Sequence, residues 1–330
     1  MNEPLPLEDS YRDHLLRHPR PASQRHRRFN IVVVLFSHVI PTAAVLFAIY
    51  QIAFLGIYPS ALDLWLCLGF FLLTLFGLEI GYHRYFAHGA FKTSQWFENV
   101  LAVLGTVTFE GGVIWWTGTH KRHHAFSDAE GDPHSPHYEL HGGVRGFVYG
   151  HIGWLFDPAN INLGPWIQHV MPMYRNPFLT FLNRYYFQLG VAFLLLPAVI
   201  GWLVAGTAAA AWSALLWGGL IRVFLVTHAI FSLNSVCHMF GTKDFKAPYD
   251  ESRNNAWIAL YTLGASWHNN HHAFPRTASN QFRWWEIDIS GMMIGLLERA
   301  GIIWDVWRPT KAQVQSRRVG KGAATQAAGK

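Results

Sequence analysis

Polar and apolar positions fall along this chain in long separate blocks. From Phe29 to Leu62 there is no Asp, Glu, Lys or Arg, and about 20 apolar residues already cross a bilayer. The Tyr58-Pro59-Ser60 turn ends that run, which predicts a first span over 30–56. Leu64 to Leu78 continues apolar up to Glu79, predicting a second over 61–83. A further charge-free run from Tyr185 to Ile221 is too long for one span, and its Gly206-Thr207-Ala208 middle reads as a turn. That predicts helices over 185–205 and 209–238. The expected architecture is an all-α integral membrane protein, with four transmembrane helices in two hairpins.

The remaining blocks are shorter. Thr93 to Ile114 is apolar but interrupted by Glu98, Asn99, Glu110 and the Gly111-Gly112 pair, which suggests a membrane-surface or re-entrant helix. Residues 1–28 form a basic, polar N-terminal segment without the short apolar core of a cleavable signal. Residues 29–310 form the membrane domain, and the Ala-, Gly- and Lys-rich 311–330 is expected to be a disordered basic tail.

Composition supports a partly lipid solvent: 51% of the 330 residues are hydrophobic and 14% charged, against roughly 25% charged in soluble domains. Cys67 and Cys237 both sit in apolar runs, which excludes a disulfide framework and a cysteine-held iron–sulfur cluster. Arg20, Arg25, Arg27 and Arg28 precede the first span, while 56–60 and the Gly206 turn carry no basic residue. The positive-inside rule then puts both termini and the segment 84–184 in the cytoplasm. In a bacterium that is the plasma membrane. Basic ends beside apolar runs serve membrane orientation, so no nucleic-acid partner is expected.

Against this background the histidines stand out. His120, His123 and His124 in THKRHHAFSD recur as His268, His271 and His272 in SWHNNHHAFP, and positions i, i+3 and i+4 share one face of a helix. His83 and His88 follow the second span; their spacing of five suggests a helix end that unwinds. Asn234 and His238, four apart, end the fourth span. All these groups fall at one membrane face. Nine imidazoles exceed what one metal takes and suit two. Glu79, Glu110, Asp128 and Asp132 are candidates to orient them. His38 and His228 read as core residues; His134, His137, His141, His151 and His169 read as supporting or substrate-side groups. Imidazole serves several metals, but there is no H-E-x-x-H. A set without thiolates or carboxylates fits a dinuclear iron site used with oxygen. A membrane metal transporter or sensor is the different-class alternative, disfavoured because nine permanent ligands hold a metal too tightly to pass it on.

The stretches GYHRYFAHGAF, HKRHHAFSDAEGDPHS, NSVCH and WHNNHHAFP together resemble the membrane fatty acid desaturases of the stearoyl-CoA, delta-9 type, over roughly 30–309. The resemblance implies a cytoplasmic helical cap carrying a histidine-rich di-iron site. Its metal ligands would be His83, His88, His120, His123, His124, His238, His268, His271 and His272, with Asn234 holding a water. It further implies O2 as co-substrate, a saturated long-chain acyl-CoA given a cis double bond, and external electrons from a separate donor, ferredoxin or cytochrome b5-like. A desaturase or hydroxylase of lipid-linked or carrier-linked chains is the alternative. Trp115, Trp116, Lys121, Arg122 and Arg145 are candidate substrate contacts, as are Phe70, Phe71 and Thr74 along the chain's tunnel. Two departures matter: Gly264-Ala265-Ser266 lacks the family's carboxylate before the third box, and Phe156-Asp157-Pro158 replaces its basic residues. The odd Arg222, inside the fourth span, would pair with an acid or lie nearer the interface.

Overall fold

The structure, a computed structural model, describes residues 14–137, 142–246 and 250–319. Among the described residues four helices are long and apolar enough to cross a membrane: α1 Gln24–Leu55, α2 Ala61–Ala87, and two later ones over Pro177–Ala205 and Ala208–Met239. Between the first and last pairs lie α3 Gln95–Thr106, α4 Val113–Phe126 and α5 Gly143–His151. The long helices Pro177–Ala205 and Ala208–Met239 are α6 and α7. A short α8 His268–Ala273, then α9 Ile289–Arg299 and α10 Lys311–Arg317, complete the chain. Leu46, Ile49, Phe54, Trp65, Leu203 and Val204 are exposed on the long helices, an apolar surface that suits lipid and would not suit water.

The ends of the long helices differ from expectation for local reasons. α1 starts at Gln24, not at 30, because the Ser23 hydroxyl accepts from the His26 N–H and caps a basic first turn. The third long helix starts at Pro177, not at 185: Asn176 caps it, and Tyr185 is a kink within it. α2 runs on past 83, widening over Gly77–Ala87 into a π-helix. The turns between long helices close on left-handed glycines, Gly56 at φ 63° and Gly206 at φ 67°, as helix C-termini commonly do.

Packing explains two further glycines. A Cβ on Gly77 would stand 2.4 Å from the Leu104 carbonyl carbon, and one on Gly105 would stand 2.3 Å from the Tyr82 ring. α2 and α3 therefore touch backbone to side chain, and α3 is held against the bundle. The main core lies beneath, with Leu75, Leu78, Tyr82, Val113, Ile114, Val226 and Phe231 all buried. Arg84 is buried in an ion pair with Asp288 at 2.9 Å, and donates to the Ala278 carbonyl at 2.6 Å. Arg222 neither pairs with an acid nor reaches a surface. It is fully buried over the Phe193 ring, 5.5 Å away, and its three nitrogens find no hydrogen-bond partner among the described residues.

The start of the expected disordered tail is ordered. α10 opens with a capping box, Thr310 to Gln313; Arg318 bridges to Phe245, and the Val319 N–H donates to the Asp244 carbonyl at 3.0 Å. Residues 320–330 and His141 lie outside the described residues.

Candidate metal centre

The π-helical stretch positions the first pair of candidate ligands, His83 and His88. In an α-helix residues five apart diverge by about 140°; a π-turn closes on i→i+5 bonds and brings them back to nearly one face. The His88 N–H donates to the His83 carbonyl at 3.2 Å, so the helix is widened there and not unwound. The second set sits on α4, which lacks a side-chain cap of its own. Asn183 of α6 supplies it, its Oδ1 accepting from the Ile114 and Trp115 N–H groups at 3.1 Å. The third set sits on α8, six residues long and unable to hold itself. Its two asparagines hold it from outside: Asn269 Oδ1 accepts from Asp244 and Phe245, and Asn270 bonds to Asn254, the Asn280 carbonyl and Glu286.

These elements bring all nine histidines together in two groups, His83, His88, His120, His124 and His271, and His123, His238, His268 and His272, with nitrogens within 4.8 Å of one another in each. Nε2 atoms face each other at 3.0 Å (His83–His271), 2.8 Å (His88–His120) and 2.9 Å (His124–His271). In the second group the gaps are 3.1 Å (His238–His268), 3.1 Å (His268–His272) and 3.4 Å (His123–His272). Neighbouring ligands about 2.1 Å from an octahedral ion stand about 3.0 Å apart, and about 3.4 Å apart around a tetrahedral one. The gaps of 2.8 to 3.4 Å span both values. The side chains present therefore fit a pair of metals with nitrogen ligands.

Carboxylates hold the far nitrogens. Nδ1 lies 3.1 Å from Glu79 in His83, 3.0 Å from Asp132 in His123, 2.6 Å from Asp128 in His238 and 2.6 Å from Asp250 in His272. Each such bond fixes the tautomer that leaves Nε2 free for a metal. Burial pushes the Asp128 and Asp250 carboxyls up, but the histidine each faces, and its hydrogen bonds, hold them well below the usual range. Burial and neighbouring imidazoles hold His120, His124, His268 and His271 well below their ordinary value, so they stay neutral, as ligands must.

The other candidates separate. Asn234 is half-buried on α7, one turn before His238. Trp116 stacks on His120, with centroids 4.8 Å apart. Trp115 lies parallel to Trp154 and lines a cavity of about 630 Å³. That cavity runs from His26 and Asn30 past Val33, His38 and Glu110 to Phe231. Phe70, Phe71 and Thr74 of α2 do not line this cavity: Phe71 stacks on Tyr261 in the core, and Thr74 donates to the Phe70 carbonyl. Arg122 is buried, and each of its nitrogens donates one bond, to the Gly131 carbonyl, Asn160 and the Arg17 carbonyl. Lys121 donates to the His169 carbonyl at 3.2 Å, and Arg145 is exposed on α5. Glu110 supports no histidine ligand; it lines the cavity, bonded to Thr227, and burial raises its carboxyl to about 8. Asp250, which does support one, was missed, because nothing in Asp250-Glu251 marks a partner for His272 about twenty residues on.

A family model described as fatty acid desaturase matches residues 59–288, which include every histidine of both groups. Three curated relatives are similar over most of their length. The hex-5-enoyl-[acyl-carrier protein] acetylenase of Moorena producens is 40% identical, over 86% of this chain and 88% of its own. The sn-1 stearoyl-lipid 9-desaturase of Anabaena variabilis is 34% identical over 72% and 80%. The delta-9 acyl-lipid desaturase 2 of Arabidopsis thaliana is 34% identical over 81% and 82%. With the twin histidine groups, four membrane-length helices and these matches in agreement, this chain belongs to the fatty acid desaturase family.

Proposed function

We propose that the protein is an O2-dependent acyl desaturase that places a cis double bond at the delta-9 position of a saturated chain. The observation that carries this reading is the convergence of nine imidazoles at two adjacent points. Two iron ions, held by the groups of five and four, would activate O2 and so supply oxidising power towards C–H bonds that side-chain acids and bases lack.

The chain's own residues then position. Glu79, Asp128, Asp132 and Asp250 lock four ligand rings, and Trp116 presses an aromatic face on His120. Asn234 keeps the role of holding a water beside the metals. The acyl chain would occupy the cavity walled by Trp115, Val33 and Phe231, where fixed apolar walls select which methylene pair reacts. The metal-bearing ends of the long helices would face the cytoplasm, with a separate ferredoxin or cytochrome b5-like donor.

For the acyl carrier we favour a membrane glycerolipid over the coenzyme A thioester. This is supported by the burial and existing bonds of Arg122, and by Phe29 and Ile167, which line the cavity while exposing apolar surface. A carrier-protein thioester is the second reading, favoured by the 40% identical acetylenase and by the exposed Arg25, Arg27 and Arg28.

The test is a fatty-acid profile with double-bond positions from an aerobic host expressing the protein, beside His124→Ala. New delta-9 unsaturation that disappears in the variant is expected. A hydroxylated product would overturn the reaction type. Labelled stearoyl lipid, stearoyl-CoA and stearoyl-carrier protein offered to isolated membranes then rank the carriers.

A further inference from the structure

The cavity that would take the acyl chain is not apolar throughout. Its mouth lies where Phe29 and Ile167 expose apolar surface, beside the exposed His26. Further in, against Phe109 and Phe231, its wall includes His38 and Glu110, both buried. His38 follows His26 by twelve residues on α1, about 18 Å along the helix. A polar pair therefore stands deep in a space meant for hydrocarbon.

The His38 ring is fixed and its tip is bare. Nδ1 lies 2.8 Å from the Val34 carbonyl, an oxygen that only accepts. Nδ1 therefore carries the proton, and Nε2 of the neutral ring is an acceptor. Phe231 covers the ring's face, with centroids 5.3 Å apart and planes at 8°. Nε2 is buried and meets no hydrogen-bond partner among the described residues. Glu110 comes from a strained turn, with φ 71° at Phe109 before it and φ 99° at Gly111 after it; such strain gathers at ligand sites. Its carboxyl bonds to Thr227, one turn from Phe231 on α7, which sets it about one helical pitch, ~5.4 Å, from the His38 ring.

A plain alkyl chain at this depth would leave the bare acceptor and the carboxyl facing methylenes, and an unmet buried polar group bears its whole desolvation cost. One oxygen between the two would bond both, at about 2.7 Å each way. Glu110, its carboxyl raised to about 8 by burial, keeps a proton to donate at neutral pH. We propose that the cavity is built for an acyl chain that carries a hydroxyl group, which donates to His38 Nε2 and accepts from Glu110. A site of this kind discriminates strongly against the chain without the hydroxyl. A hydroxyl on the lipid headgroup stays at the mouth and does not reach the pair. The inference rests on the reading that acyl chains enter this cavity, and it names their class.

The test uses the metal-loaded full chain in detergent and a fluorescent parinaroyl lysophosphatidylcholine as the bound probe. Stearoyl lysophosphatidylcholine displaces it beside hydroxystearoyl counterparts, which share the headgroup and have the hydroxyl moved carbon by carbon along the chain. At one position the hydroxylated chain should bind about tenfold more tightly than the plain one. His38→Phe, which keeps a ring on Phe231, and Glu110→Leu should each remove that advantage while binding the plain chain at least as well as wild type. Glu110→Gln, which retains a donor, should keep it. Equal binding of plain and hydroxylated chains at every position overturns the proposal, as does an advantage that survives both His38→Phe and Glu110→Leu. Probe binding that survives Val33→Trp, a variant that fills the cavity, lies elsewhere and overturns it too. Single turnover driven by dithionite separates this inference from the desaturase reading. A hydroxyl preference in binding, with neither chain desaturated, keeps the inference and sinks the reading; desaturation of the plain chain without any such preference does the reverse.

Discussion

The two histidine groups are built from the same side chain but supported differently. In the group of four every member is buried, and three of the four rings are backed by an aspartate, Asp132, Asp128 or Asp250. In the group of five, His88, His120 and His124 are only half-buried. Among the described residues only His83 there bonds to a carboxylate, that of Glu79; His120 is braced by the face of Trp116. A carboxylate raises the basicity of its imidazole and fixes its direction; an aromatic face only restrains it. The group of four is therefore the firmer holder, and the group of five the more adaptable, as suits the side where reactants must come and go.

Ligand removal should break this contrast most severely. His88→Ala should empty the group of five and His268→Ala the group of four, each leaving about one metal per chain by elemental analysis and abolishing desaturation. Retention of both metals in either variant would contradict the grouping. Next come the supports. Asp250→Asn should cost about 10- to 100-fold in metal affinity, read by chelator competition, while Glu79→Gln should cost less if the group of five shares its load over more ligands. Equal losses would erase the distinction.

The third test uses a carboxyl without a histidine partner. Glu110 titrates near 8, against an ordinary 4.5, because burial has no facing cation to offset it. Between those values the folded chain keeps a proton that the unfolded chain has released. The stability tied to this group therefore falls as pH rises through that window and levels off above it. Glu110→Gln should melt like wild type below pH 4.5 and be more stable by roughly 2 to 4 kcal/mol at pH 8. Thermal melts of the two proteins across that range in detergent read this directly. A constant difference would mean that Glu110 is not the titrating group.

Much of this was legible from short-range pattern. The i, i+3, i+4 triplets put His120, His123 and His124 on one helix face because α-helical spacing is local, and charge-free runs of span length announce themselves. What escaped depends on contacts between distant segments. Asp250 reaches His272 only through the fold. Helix α4 takes its cap from Asn183, almost seventy residues on. The widened turn at Gly77–Ala87, which packs closely on α3, turned a loose spacing of five into a matched pair. Lys311–Arg317 reads as a solvated basic segment until Phe245 and Ala273 are there to receive it.

That last contact bears on how the protein is made. The first ligand lies at His83 and the last at His272, and the strap that braces the last ligand helix ends at Val319. Contacts so distant in sequence form late. A growing chain would therefore insert all four long helices before it could close either histidine group. Metal loading then becomes a step that follows synthesis, and a ribosome stalled after α7 would leave a membrane bundle with six of the nine imidazoles waiting for the last three.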